Sequence, residues 1–370
     1  MIRCVSDAAR ASCKKGSCLV SLIHKQSNPS CSAFFDKALA SEGESTAISA
    51  SIFMSPSDYS TALKLEPTEP ASVLRMATLT VLFGLTAAFC WGSSDYLSRR
   101  QSEKVGTYKT VVYAHVMTLV VLLALIPVLR PAFEVGPVVA LALTAAGLVN
   151  FLAFILLYRA FHKGVVSVVA PVAYTFPVAT TVLSIVLLGI ALSASSIVAI
   201  AWIIAGVLLL STRLSELRAS LARKGAPNVT VGIGSAVGAS VFFGIAYVGL
   251  GYSIALVGYV LPTIILRGVA TAAGFLLAPL LKQEVRPSRS AFSNTIVVMG
   301  ILEAIGFLAF SYGVSQGSSS LPVIAAVSGM GGAVAAAYGL VFLRERLELN
   351  QVIGVFLALT GVFFLLYLGG

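Results

Sequence analysis

The sequence predicts an all-α polytopic membrane protein in which ten transmembrane helices form two inverted five-helix repeats. Three observations carry that expectation. Hydrophobic residues make up 58% of the 370-residue chain, charged residues only 11%, and the mean hydropathy is +0.94. Soluble domains carry about 25% charged residues, so the composition alone points to a bilayer. From Met76 onward the apolar residues fall in runs of about twenty, the length of helix that crosses a hydrocarbon core of about 30 Å. The third observation is an internal repeat at a nearly constant offset.

Residues 1–75 have a different character. They are polar and rich in serine, and they hold Cys4, Cys13, Cys18 and Cys31, four of the five cysteines. No C-x-x-C pair occurs among these, and His24 is the histidine nearby, so neither a metal nor a redox site is expected. No apolar core of a secretory signal follows the basic start. This stretch reads as a disordered extension, or as sequence upstream of a protein that starts at Met76. A weaker likeness to a transit peptide would place the protein in an organelle membrane rather than the cell (plasma or inner) membrane.

The ten apolar segments are placed at about 77–97, 108–129, 136–158, 165–188, 194–211, 230–252, 258–281, 293–314, 320–343 and 350–368, on the length criterion for membrane helices. They are too long, and alternate too little, for barrel strands. Small residues recur within them, as in "SGMGGAVAAAYG" from Ser328 to Gly339, which lets helices approach closely in lipid. Pro171, Pro177 and Pro322 are expected to kink helices four and nine. The net charge of +10 does not indicate nucleic acid, because the basic residues are scattered among short turns. Turns after odd-numbered segments hold fifteen Lys or Arg and the even-numbered turns hold Arg130 alone. Positive charge stays on the cytoplasmic side, so this bias places both termini outside.

A shift of 152 residues lays Gly92 on Gly244 and His115 on Arg267. A shift of 153 lays Gly147 on Gly300, Asn150 on Glu303, Phe154 on Phe307, Gly164 on Gly317 and Ser167 on Ser320. A shift of 155 lays Leu192 on Leu347, Gly206 on Gly361 and Val207 on Val362. Two halves follow, 76–211 and 230–370, joined by a basic segment at 212–229 that reads either as an interfacial helix or as a solvated linker. Five is odd, so the second half enters the membrane from the opposite side. Inverted repeats of this kind are an architecture of secondary transporters, with the substrate held near the midplane.

Several stretches carry a resemblance. "AAFCWGSSDYLSRR", with Trp91 and Gly92, resembles the opening of drug/metabolite transporters of the EamA type. "YRAFHKGVVSVVAPVAYTFPV" is similar to that family's fourth helix and its entry turn, with Ala160, Gly164, Ser167, Ala170 and Pro171. "FLRERLELNQVIGVFLALTGVFFL" is similar to its closing signature, with Glu345, Gly354 and Gly361. Ile190 departs from the pattern, standing where the repeat would carry the partner of Glu345. The resemblance spans Met76 to Gly370 and implies ten helices, two EamA domains and export or import of small metabolites; joined to the inverted repeats, it reads as a secondary transporter working by alternating access. It does not choose the metabolite.

Glu303 lies in the middle of the apolar run "MGILEAIGFLAF", and Arg267 lies in the preceding segment. Each charge costs roughly 2.5–3.5 kcal/mol at a helix centre, so two neighbouring segments with opposite charges suggest a compensated pair. Such a pair either fixes helix register or faces a cavity and contacts substrate or a proton. The repeat adds His115 and Asn150 to the candidates. Asp95 reads as a site acid or as a helix-end acid balanced by Arg99 and Arg100. Trp91 and Tyr174 read as aromatic walls or as interface anchors. No metal or cofactor is expected, and the expected partners are a small-molecule substrate and the lipid bilayer. Catalytic motifs such as H-E-x-x-H, G-x-S-x-G and the P-loop are absent. The rival from another class is a membrane-embedded enzyme or lipid-handling protein that uses Glu303 and Arg267. It would need a second deep carboxylate, which the sequence does not show. Proton coupling and facilitated exchange both stay open.

Overall fold

Helices dominate the described part of the computed structural model, which comprises residues 70–163, 172–212, 214–215, 218, 229–287, 292–317, 319–334, 337–338 and 348–368. One helical element is the single turn Ile126–Leu129. The others, in chain order, are α1 (Pro70–Val105), α2 (Thr107–Ala124), α3 (Pro137–Lys163), α4 (Phe176–Leu188), α5 (Ala194–Ser211), α6 (Val229–Val257), α7 (Val260–Leu277), α8 (Asn294–Val314), α9 (Ser320–Ser328) and α10 (Leu349–Leu368). By length and composition, α1, α2, α3, α6, α7 and α8 are the six that can cross a bilayer. α4 and α9 are shorter apolar helices, and α5 and α10 contribute the apolar stretches Ala194–Leu210 and Leu349–Leu365. Large apolar side chains such as Leu141, Val186, Leu276, Phe356 and Phe363 stand exposed on the outer surface. Lipid tails are the solvent that such a surface suits.

Helix positions agree with expectation more closely than helix ends. α1 continues to Val105, well past the expected end at 97, and it starts at Pro70 within the segment read as a polar extension. Hydropathy marks the span, whereas the helix itself continues through Arg100 and Lys104 because nothing breaks it before Gly106. Gly106 has φ 84°, and Gly258, which separates α6 from α7, has φ 81°. The two residues are 152 positions apart, and no atom lies within 4 Å of a Cβ built at either one. Their glycine is required by backbone conformation and not by space, since an L side chain resists the left-handed region.

The expected fourth segment is interrupted. Val172 and Ala173 are helical, Tyr174 and Thr175 form a turn, and α4 starts at Phe176 with Pro177 in its first turn. The ninth is interrupted likewise at Gly329 and Met330, and Pro322 lies in the first turn of α9. Pro177 and Pro322 therefore open helices instead of kinking their middles, because a first-turn N–H needs no helical partner. Pro171 falls outside the described residues.

The main packing pairs exchange between the halves. α6 runs along α3 and α8 along α1; α4 meets α6 and α9 meets α1; α2 meets α8 and α7 meets α3. α5 with α10, α2 with α7, and α4 with α9 are the pairs that map onto themselves. Individual contacts follow the same rule. A Cβ at Gly92 would lie 2.3 Å from the Gly331 carbonyl oxygen, and one at Gly244 would lie 2.6 Å from the Ala179 Cβ. Gly147 faces Val269 at 2.7 Å and Gly300 faces Met117 at 2.4 Å in the same sense. Ala179 and Met117 are themselves 152 residues before Gly331 and Val269.

The first turn of α10 closes the end of α5. Asn350 Nδ2 donates to the carbonyls of Leu209 (2.9 Å) and Thr212 (2.7 Å), and Gln351 Nε2 donates to that of Leu210 (3.0 Å). These carbonyls have no partner inside their own helix. Glu348 accepts the backbone N–H and the hydroxyl of Ser215 in the segment between the halves. Asn350→Ala would leave two carbonyls without donors and should destabilise the protein by about 1–3 kcal/mol. The measurement is the unfolding midpoint in detergent micelles, and an unchanged midpoint would show that water replaces the amide.

Candidate functional site

α7 and α8 bring Arg267 and Glu303 together. Arg267 Nη2 donates to Glu303 Oε2 at 2.8 Å, with the arginine side chain 0% and the glutamate 14% exposed. The Arg267 guanidinium carbon lies 3.6 Å from the centroid of Phe307 and 5.9 Å from that of Phe154. Phe307 follows Glu303 by one helical turn, so one face of α8 offers both the carboxylate and the ring. A guanidinium is weakly hydrated and stacks on rings, which suits it to so dry a position.

The first-half counterparts are arranged differently. His115 on α2 is 2% exposed, lies 4.9 Å from Phe154 ring to ring and interacts electrostatically with Arg267. Asn150 on α3 is 0% exposed, and among the described residues neither its amide oxygen nor its nitrogen has a hydrogen-bond partner. No hydrogen bond joins Asn150 to His115. The repeat thus places polar residues at corresponding positions without reproducing the ion pair.

Asp95 is not at a helix end, because α1 runs on to Val105. Its carboxylate accepts the hydroxyl of Tyr174, the residue at the interruption before α4. The backbone freed there is served locally: Thr175 donates to the Val172 carbonyl at 2.6 Å and contacts the Ser240 hydroxyl at 2.8 Å. Arg100 lies over Tyr96 at 5.6 Å, and the side chain of Arg99 is outside the described residues. Glu303 interacts electrostatically with Asp95, Tyr174, Tyr247 and Cys90. The second deep carboxylate that the sequence does not reveal is therefore Asp95.

Tyr247 on α6 is the residue that sequence reasoning missed. It interacts with Arg267, Glu303 and Asp95. Trp91 stacks on it at 5.9 Å, and Phe310, Phe176 and Phe243 ring it at 5.1, 5.3 and 6.2 Å. The repeat held a signal for it: 152 residues separate Asp95 from Tyr247, and the same interval separates Trp91 from Phe243. Trp91 lies 5.0 Å from Phe307, and Phe243 lies 5.0 Å from Phe154. The Trp91 indole nitrogen, which has no partner among the described residues, lies against α8 at Gly306, where a Cβ would come within 2.6 Å of it.

Two of the family-motif residues act in packing and turns. A Cβ at Gly361 would lie 2.7 Å from Ile203, and the Gly317 carbonyl accepts the Ser320 hydroxyl at 2.6 Å. Gly164, Pro171 and Glu345 lie outside the described residues. The cluster as a whole contains two carboxylates, two phenols, an arginine and an aromatic wall inside an apolar bundle. Such a set can hold a small polar molecule away from water.

Comparison with known proteins points the same way. The model of the EamA-like transporter family matches residues 78–212 and 230–367. An uncharacterized transporter of Archaeoglobus fulgidus is 24% identical over 299 residues, covering 78% of this chain and 98% of that protein. A solved crystal structure superposes with a TM-score of 0.61 at 19% identity, over 78% of this chain and 97% of the other, a likeness of fold. Two matches of one family model, which together span most of an integral membrane chain, place this protein in the EamA-like transporter family.

Proposed function

We propose that the protein is a secondary transporter of a small metabolite, working by alternating access between inverted five-helix repeats at 76–211 and 230–370. In this reading all ten helices cross the membrane, and 212–229 links the halves. The observation that carries it is the buried Arg267–Glu303 pair beside Asp95, Tyr174 and Tyr247. Ionisable groups at this depth persist where they serve a solute or an ion. The exchange of packing pairs between the halves supports the repeat, and the interruptions at Tyr174 and Gly329 support a midplane site. Asp95, Glu303, Arg267, Tyr174, Tyr247 and Trp91 form the site in this reading, with His115 and Asn150 behind it.

Uptake into liposomes is the test. Proteoliposomes given a defined mixture of metabolites should accumulate at least one of them unaltered, as read by mass spectrometry. Species absent from the mixture would instead favour the membrane-embedded enzyme, for which Asp95 and Glu303 would provide the two acid–base groups. Coupling to protons is assigned to Glu303. Glu303→Gln should then abolish accumulation driven by a pH gradient and keep counterflow exchange, which also certifies that the variant is folded. Undiminished pH-driven accumulation would remove Glu303 from the coupling.

A further inference from the structure

We infer that the solute taken by this site is a small organic cation with a flat body, an aromatic amine in preference to an amino acid or a carboxylate. This rests on the transporter reading and adds to it the charge of the solute.

The first ground is a count of charges. Asp95 and Glu303 are both carboxylates, and Arg267 is already joined to Glu303 at 2.8 Å. The described partner of Asp95 is the neutral phenol of Tyr174. Among the described residues no cation is paired with Asp95, and a carboxylate inside an apolar bundle is costly until an arriving cation supplies a counter-ion. An anion would meet two carboxylates. A zwitterion would bring its own carboxylate to Asp95 or have to break the pair on α7 and α8.

The second ground is the wall. Trp91 and Tyr247 stack at 5.9 Å, and Tyr247 interacts with Asp95. Ring faces are negative and attract cations, and flat bodies stack against them. The third ground is independent of charge. Trp91 is 9% exposed, and its indole N–H has no acceptor among the described residues. It lies at Gly306, one turn along α8 from Glu303. A buried donor of this kind calls for an acceptor on the solute, such as a hydroxyl oxygen.

One scaffold separates these features. Binding to the full chain in nanodiscs is measured for tyramine, phenethylamine, 3-(4-hydroxyphenyl)propionate and tyrosine. Tyramine should bind at least about tenfold tighter than the propionate or tyrosine, and more tightly than phenethylamine, which lacks the acceptor. Asp95→Asn keeps an oxygen for Tyr174, so the fold is retained, and the unfolding midpoint of the same sample checks this. That variant should weaken tyramine binding by about tenfold or more, and Asp95→Glu should recover part of the loss. Trp91→Phe keeps the wall, removes the donor, and should erase the gap between tyramine and phenethylamine. Absence of tyramine binding at millimolar concentration, or equal affinity in Asp95→Asn, overturns the inference. Tighter binding of tyrosine or the propionate overturns the charge assignment and leaves the transporter reading standing. Tyramine binding with no uptake of any compound into vesicles does the reverse.

Discussion

Glu303→Gln should destabilise the folded protein by about 3–5 kcal/mol, because it leaves the Arg267 charge buried without its carboxylate. The arginine is 0% exposed and its guanidinium lies against Phe307, so bulk water does not replace the lost carboxylate. Arg267→Gln should cost a comparable amount by stranding Glu303. The exchange Arg267→Glu with Glu303→Arg restores opposite charges and should recover part of the loss, though not the stacking, because the arginine then starts from α8. Unfolding midpoints of the three variants in one detergent decide the matter. Two harmless single substitutions would show that the bridge contributes nothing.

Gly206→Leu should be nearly as severe, at about 3 kcal/mol, the upper end of the range for overpacking. A Cβ at Gly206 would lie 2.4 Å from the backbone nitrogen of Ala358 and 2.8 Å from the carbonyl oxygen of Gly354. Backbone atoms cannot swing aside, so α5 and α10 would have to separate along their length. Gly234→Leu on α6 is the contrast, because nothing lies within 4 Å of its Cβ. That change should be neutral or stabilising by up to roughly 1 kcal/mol, from helix propensity. If both variants unfold at the same midpoint, close packing of α5 on α10 is not what holds this edge together.

Much of this arrangement was legible because bilayer physics leaves few choices. Apolar runs of about twenty residues become helices, since lipid offers the backbone no other partner. The Arg267–Glu303 contact followed from the same logic of two opposite charges in neighbouring helices. Helix ends were harder to read. The expected apolar segment stopped at 97, whereas the backbone of α1 continues to Val105, and that difference moves Asp95 from a helix end into the body of the helix. Tyr247 was hidden because a tyrosine in an apolar helix resembles an anchor, and its importance comes from what α1 and α8 bring to it. The turn at Tyr174 and Thr175 was masked by Pro177, which in sequence suggests a kink and in the structure starts a helix.

The glycine contacts between the halves also have a genetic consequence. Gly206 rests on Ala358 and Gly361 on Ile203, positions related by the same 155-residue interval, so one interface is written twice in the gene. Gly92 rests on Gly331 in the other half in the same way. A lesion at any of these positions in the first half finds no local remedy, because the atoms it strikes are encoded more than two hundred codons away from Gly92 and about one hundred and fifty from Gly206. Suppressor screens begun at Gly92 should therefore return changes around residue 331, and screens begun at Gly206 changes at 354–358.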